Sequence, residues 1–323
     1  MNNIKFFQKS RRISSALVKK RAGEWLFSLV RLAFLIGASY IILYPLFLKI
    51  SISIMSYGDM TDMTVKWIPK NPSLDNFKTV LEKIDYFEYF FTTLGLSLLT
   101  TLLQMFSCVT AGYAFGRFKF KGRGILFFIV ILMLVVPPQT YITSSYLQFR
   151  CFDFFGIGEL FGIPVFSLIN TPVPMILMSI GCMGIKNGLL IYILRQFFQN
   201  LPKEIEEAAW VDGAGTFSIF RRVMLPNAVP ALTTVFVFSF VWAWNDLYNA
   251  STYMPNMTLF PLAVNNITFS IQQAFGGLAQ INPVEVSLLT NAVVLLILLP
   301  LLAFFLITQR FFIEGLERTG ITG

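Results

Sequence analysis

Residues 196–226 read QFFQNLPKEIEEAAWVDGAGTFSIFRRVMLP, a polar island between two strongly apolar stretches. Pro202 suits the first turn of a helix, where a missing amide hydrogen costs nothing, and Glu204, Glu206 and Glu207 follow where the helix dipole favours negative charge. Ala208 and Ala209 give that helix a small, flat face. Gly213-Ala214-Gly215 ends it with residues able to take positive φ. Thr216 is placed to cap a second short helix with Phe217, Phe220 and Met224 on one side and Arg221 and Arg222 on the other, before Pro226 opens the next apolar stretch. Two short helices are expected, meeting at a glycine corner. As pattern alone, this is either an amphipathic connector at a membrane interface or a docking element for another protein.

The flanks decide the solvent. Of 323 residues, 55% are hydrophobic and only 13% charged, with 35 Phe, 11 Tyr and 5 Trp, and the mean hydropathy is +0.68. Globular proteins carry about 25% charged residues, so a soluble enzyme is excluded. Six stretches approach the roughly 20 apolar residues needed to cross a bilayer as helix: residues 32–48, 90–115, 125–146, 174–198, 228–247 and 288–312. The third contains Pro137-Pro138, which should bend or end its helix. The fourth is interrupted by Gly181, Gly184, Lys186, Asn187 and Gly188. The expectation is an all-α polytopic membrane protein with six spans. The segment between the first two spans should carry one helix, started by Ser73, with Leu74, Phe77, Val80, Leu81 and Ile84 at helical spacing.

Charge orients the chain. Lys5, Lys9, Arg11, Arg12, Lys19, Lys20 and Arg21 precede the first span; Arg117, Lys119, Lys121 and Arg123 follow the second; Arg195, Lys203, Arg221 and Arg222 follow the fourth; Arg310 and Arg318 close the chain. The opposite side has Lys66, Lys70, Lys78, Lys83 and Arg150, and none over residues 247–287. Cytoplasmic loops collect Lys and Arg, so both termini are expected in the cytoplasm. That topology also accounts for the net charge of +8 without nucleic acid. The basic N-terminus can meet anionic membrane lipid. No cleavable signal peptide is visible, so the first span is expected to be retained. The expected division is a basic cytoplasmic N-terminus over 1–31, a six-span domain over 32–312 that includes the loop 199–226, and a cytoplasmic tail over 313–323.

Catalysis has few means here. With no His, imidazole acid-base chemistry, Ser-His and Cys-His pairs and the commonest metal ligand are all absent. Cys108, Cys151 and Cys182 are too few and scattered for a disulfide framework or a zinc site, and are expected to be buried. No GxxxxGK[ST] loop is present to cradle nucleotide phosphates.

Glu207-Ala208-Ala209, three residues, Gly213, nine residues and then Val223-Met224-Leu225-Pro226 is similar to the EAA signature of inner-membrane permease subunits of binding-protein-dependent ABC importers, with Val223 where Ile is usual. The resemblance covers roughly residues 25–323 and is nearest to the carbohydrate group of the maltose-type second permease. It is carried also by Ala111-Gly112-Tyr113-Ala114-Phe115, Leu194-Arg195-Gln196-Phe197-Phe198, Trp244-Asn245-Asp246, Thr258-Leu259-Phe260-Pro261-Leu262 and the ending from Gln309. The resemblance implies the type I ABC importer permease fold in a bacterial inner membrane. It implies that Glu206, Glu207, Ala208, Ala209, Asp212, Gly213, Phe217, Phe220, Leu225 and Pro226 couple the chain to a dimer of ATP-binding cassette ATPases. It implies a second, homologous permease and an extracytoplasmic solute-binding protein as partners. ATP and Mg would sit on the ATPase subunits and no cofactor on this chain.

Candidates for the substrate pathway are Lys186 and Asn187, a costly polar pair at membrane depth, and Trp242, Trp244, Asn245 and Asp246 at the outer end of the fifth span. Each has a plainer alternative: a shifted or broken fourth span for Lys186, and interfacial anchoring for the tryptophans. Gly112 and Gly116 have the spacing that lets helices approach closely. The function expected is sugar or oligosaccharide import. Its alternatives are import of another small solute, such as a polyol, glycerophosphodiester or uronate oligosaccharide, or an ion-coupled secondary carrier, which should show paired ionisable residues in its spans. A membrane-embedded enzyme ranks last, with Asp153 and Glu159 as its nearest carboxylate pair.

Overall fold

Helix α1 (Asn2–Ser53) opens a computed structural model that describes residues 2–153, 166–267, 271 and 282–320. Two shorter helices, α2 (Tyr57–Thr61) and α3 (Asp75–Lys83), lead to the long α4 (Tyr86–Arg117). Then come α5 (Arg123–Val135), α6 (Ile142–Arg150), α7 (Val173–Ile180), α8 (Asn187–Asn200), α9 (Glu204–Val211), α10 (Thr216–Ile219), α11 (Leu225–Asn227), α12 (Val229–Trp244), α13 (Leu247–Tyr253), α14 (Phe260–Asn265) and α15 (Pro283–Gly320). Among the described residues the only strand-like feature is one bridge, Phe152 to Phe166. Glu159 lies outside the described residues.

Among the described residues, three helical segments are long and apolar enough to span a membrane alone: Gly23–Ser53 of α1, Tyr86–Arg117 and Pro283–Arg310 of α15. A fourth is a bent pair, residues 216–227 and 229–244, with a 76° angle between its halves. Pro226 and Pro230 flank that bend, where each removes a helix donor. The remaining two expected spans are split. Residues 125–146 divide at Pro137-Pro138 into α5, a 3₁₀ turn and α6. Residues 174–198 divide over 181–186, where Cys182 (φ 57°) and Lys186 (φ 53°) are left-handed. Among the described residues six uninterrupted crossings are therefore not what the backbone builds, because Pro137 and Pro138 lack the amide hydrogens a continuous helix needs and Gly181 and Gly184 are poor helix formers. The backbone also runs unbroken through residues 31–32 and 312–313.

The helix between the first spans forms as α3, with Val80 buried and Phe77 and Ile84 packed against α15. Leu74 and Leu81 are instead exposed. Ser73 works from one residue outside the helix: its hydroxyl accepts from the Asp75 amide (3.0 Å) and donates to the Asp75 carboxylate (2.6 Å). Of the three cysteines only Cys108 is buried. Cys182 is partly covered and Cys151 is exposed, because Cys151 sits past the end of α6, clear of the packed helices.

The centre of the bundle is α4 against α8, its most extensive helix contact. A Cβ on Gly112 would stand 2.6 Å from the Leu194 Cβ, and one on Gly116 3.0 Å from the Phe198 Cβ. The glycine spacing is thus used: two missing side chains bring the backbones together. Around this seam Cys108, Leu190, Ile191, Leu194, Phe198, Ile219, Met224 and Ala231 form the largest buried apolar cluster. A second cluster joins Trp244, Phe240 and Phe260 to Phe90 and Phe304.

Gly112→Ala is expected to destabilise the protein by about 1–3 kcal/mol through overpacking. Gly95→Ala, in the same helix with nothing within 4 Å of its Cβ position, should be neutral or stabilising, by up to about 1 kcal/mol of helix propensity. Melting of the two purified variants in detergent measures the contrast.

Candidate functional site

The polar island folds as a side arm fixed to the end of α4. Helix α9 opens with Glu204, Glu206 and Glu207 in its first turn and no basic residue in its last, as the dipole prefers. Pro202 stands just ahead of it. Glu206 turns inward and is buried, with one carboxylate oxygen 3.4 Å from Arg117 Nε and the other accepting from the Tyr113 hydroxyl at 3.1 Å. Arg117 also donates to the Leu201 carbonyl (2.6 Å) at the end of α8. The approach of Arg117 Nε to Glu206 is an ion pair without hydrogen-bond geometry, and with the bond to Leu201 one arginine ties α4, α8 and α9 at a single point.

The glycine corner is a Schellman turn. The Gly213 amide donates to the Trp210 carbonyl (3.0 Å) and the Ala214 amide to the Ala209 carbonyl (3.0 Å), with Gly213 at φ 79°. Gly215 is extended at φ −72°, so only one of the two glycines uses the left-handed region. Thr216 is the first residue of α10 and Gly215 takes the cap position, without a side-chain hydrogen bond. The expected grouping of Phe217, Phe220 and Met224 also divides. Met224 is buried and Phe220 rests on Tyr113, with ring centroids 4.8 Å apart, but Phe217 is 75% exposed. Residues 220–224 wind as a π-helical turn, which changes the angular spacing, and Phe217 lies beyond the edge of the bundle where nothing covers it.

The coupling candidates sort into two sets. Glu206, Ala209, Phe220 and Leu225 face the bundle and hold the arm; Glu207, Ala208, Asp212, Gly213, Phe217 and Pro226 face outward. With the outward set stand Trp210 and Val211, 55% and 87% exposed, which sequence reasoning did not single out. Their signal is that Ile205 and Ala209 mark the inward face of α9, which leaves the next two residues outside it. Arg117 and Tyr113 were likewise unmarked, since nothing local connects them to residue 206.

The pathway candidates also part company. Lys186 Nζ lies 4.5 Å from the Trp242 ring centroid, a cation–π distance, and Lys186 and Asn187 line a cavity of about 600 Å³ with Pro137, Pro138, Tyr141 and the end of α5. Trp244 is buried among Phe90, Phe240 and Phe260. Asn245 donates to the Val241 carbonyl (2.8 Å) and Asp246 caps α13 by accepting from the Asn249 amide (3.1 Å) and carboxamide (2.8 Å). The geometry brings Lys186, Asn187 and Trp242 together and leaves Trp244, Asn245 and Asp246 elsewhere.

This is a helical membrane protein with an outward-facing two-helix arm clamped to the bundle by a buried ion pair. Residues 108–316 match the family described as binding-protein-dependent transport system inner membrane component, and the chain belongs to that family. It is 31% identical over 271 residues to the osmoprotective compounds uptake permease protein GgtD of Synechocystis sp., covering 82% of each chain. It is 30% identical over 255 residues to the alpha-glucoside transport system permease protein AglG of Rhizobium meliloti, covering 79% of this chain and 62% of that one. The arabinooligosaccharides transport system permease protein AraQ of Bacillus subtilis is 27% identical over 92% of this chain and 98% of its own. A solved bacterial ABC transporter involved in the import of the acidic polysaccharide alginate shares the fold, with a TM-score of 0.72 at 21% identity, over 89% of this chain and 96% of that chain.

Glu206→Leu alone strands the Arg117 guanidinium and is expected to cost about 3–5 kcal/mol, as is Arg117→Met alone. The double replacement should cost much less than the two together. Denaturation of the four proteins in detergent closes the cycle, and additive losses would show that the pair does not interact.

Proposed function

We propose that this chain is a permease subunit of an ABC importer that moves a sugar or oligosaccharide into the cell. The carrying observation is the arm: Trp210, Val211 and Phe217 form an exposed apolar tip beside Glu207 and Asp212, on a base clamped to the bundle by Glu206 and Arg117. Covering such side chains stabilises a contact by about 1.5–3 kcal/mol each. The occupant proposed is a groove on a cytoplasmic ATPase subunit. This chain has no phosphate-binding loop of the P-loop kind, so ATP and Mg belong to that partner. Closure of two ATPase subunits would push the arm as a lever, and the helices fastened to it would tilt between inward- and outward-open states.

Sugars as cargo are supported by the names of the relatives, which include alpha-glucoside, trehalose and oligosaccharide systems. A second, homologous permease would complete the pathway, with an extracytoplasmic binding protein delivering substrate. Both termini lie in the cytoplasm on this reading, supported by the charge asymmetry. That side places the arm where ATP is.

Glu207→Lys reverses charge on the outward face. Gly213→Val forces a branched residue into a left-handed corner at about 1–2 kcal/mol. Each is expected to cut ATP-driven uptake in proteoliposomes at least tenfold at normal membrane levels. Gly215→Ala, at negative φ with open space around it, should transport normally. Full uptake by the first two variants, or uptake driven by an ion gradient without ATPase, would overturn the assignment.

A further inference from the structure

Between α1 and α3 the chain closes a loop over residues 54–73. The Ser73 amide donates to the Ile54 carbonyl (2.9 Å), and the Asn76 carboxamide donates to the Ser53 and Met55 carbonyls (2.9 Å each), which seals its mouth. Inside, Asp59 is 3% exposed and accepts from the Asn71 amide (2.8 Å) and carboxamide (3.4 Å). Asp62 accepts from the Thr64 amide (2.9 Å) and hydroxyl (2.7 Å) and pairs with Lys70 at 2.6 Å. Both carboxylates of the loop are thus engaged within it. Met63, by contrast, is 94% exposed and Ile68 83%, and Tyr57, Trp67 and Leu74 are exposed too. Water favours the reverse arrangement, with carboxylates hydrated and apolar side chains covered.

The loop does not rise away from α1 but doubles back along it. The Ser51 hydroxyl donates to the Trp67 carbonyl, and the Trp67 indole rests edge-on against the Tyr44 ring, centroids 4.9 Å apart, with the Tyr40 ring next to it at 5.8 Å. Tyr44 lies nine residues before Ser53, about 14 Å down the helix at its rise per residue. It also precedes Lys49, the charge that closes the apolar stretch 32–48. Trp67 therefore stands at the edge of the hydrocarbon, on a helix whose surface there is bare: Ile41, Ile42 and Ile50 are all exposed. A soluble protein would meet the loop from beyond the end of α1, whereas Trp67 faces back along the helix, toward the membrane. Lys66, beside Trp67 and exposed, has a long apolar stem that lets its ammonium reach phosphate headgroups from this level.

We propose that the loop over residues 54–73 is a membrane anchor. Trp67 and Ile68 occupy the boundary between acyl chains and headgroups, with Lys66 among the phosphates, and the lipid there is continuous with the lipid that covers α1. Tryptophan favours that boundary, and a loop whose polar groups are already bonded to one another enters it with little left to desolvate. The leaflet is the one at the C-terminal end of α1, the extracytoplasmic one; this choice of leaflet alone rests on the topology proposed above.

The test uses the complete transporter in phospholipid nanodiscs, with Cys151→Ser and Cys182→Ser removing the accessible thiols. A nitroxide is attached at Ile68→Cys, at Ile41→Cys as lipid reference and at Lys121→Cys as water reference, and its collisions with oxygen and with a water-soluble nickel chelate are measured. The ratio of oxygen to nickel collisions at residue 68 should be several-fold above that at residue 121 and approach that at residue 41. These ratios read depth in either leaflet, so a reversed topology leaves them unchanged. Nickel access equal to that at residue 121 overturns the anchor. Shielding from both reagents overturns it too, by assigning the surface to a protein partner. A second measurement needs no added cysteine: the fluorescence difference between wild type and Trp67→Phe should be quenched more by lipids brominated near the headgroup than by lipids brominated near the chain end. Absence of quenching by either lipid would equally refute the proposal.

Discussion

One line of residues on α4 sets the positions of everything else. Gln104, Cys108, Gly112 and Gly116 recur every fourth residue, so they stack along a single face, and that face meets α8. The two glycines remove the side chains that would hold the helices apart, and the buried Cys108 fills the layer above them. The close approach puts Arg117, one residue beyond the stripe, within reach of Glu206, and puts Gln104 beside the broken start of α8. A single bulky residue in the stripe would displace both ends together.

The arm and the cavity are consequently parts of one contact network. Helix α9 is held to α4 by the buried ion pair, α4 to α8 by the glycine seam, and α8 begins at Lys186. From the other side of the arm, the π-helical turn and α11 run into α12, which carries Ser239 to Gln104 and Trp242 to Lys186. Helix α9 is thereby connected to Lys186 along two helices.

Irregular backbone at membrane depth needs partners, because no water is there to replace lost hydrogen bonds. The break over 181–186 finds them on α4: Gln104 takes the Ile185 carbonyl, and Ser107 donates to the Ser179 carbonyl at 2.7 Å. The break at Pro137-Pro138 satisfies itself with a 3₁₀ turn, in which the Thr140 hydroxyl and amide both donate to the Pro137 carbonyl. Between these two interruptions lies the cavity.

Local chemistry in the sequence was enough to determine the helical, membrane-embedded class, the break at Pro137-Pro138, the two helices of the island and the corner at Gly213. Each follows from a property of a few neighbouring residues: apolar length, a missing amide hydrogen, or freedom at positive φ. Which face of the island points outward was not decided locally. Phe217 looked like a partner of Phe220 and Met224, yet a π-helical turn and the edge of the bundle leave it in the open, while Glu206 and Glu207, adjacent and identical, take opposite roles. Nor could spacing distinguish Trp242, beside Lys186, from Trp244, buried among phenylalanines. Those assignments depend on residues some 90 to 155 positions away, such as Arg117 for Glu206, Gln104 for Ser239 and Phe90 for Trp244. Burial and charge compensation are properties of the assembled neighbourhood, and only the packed helices bring that neighbourhood into being.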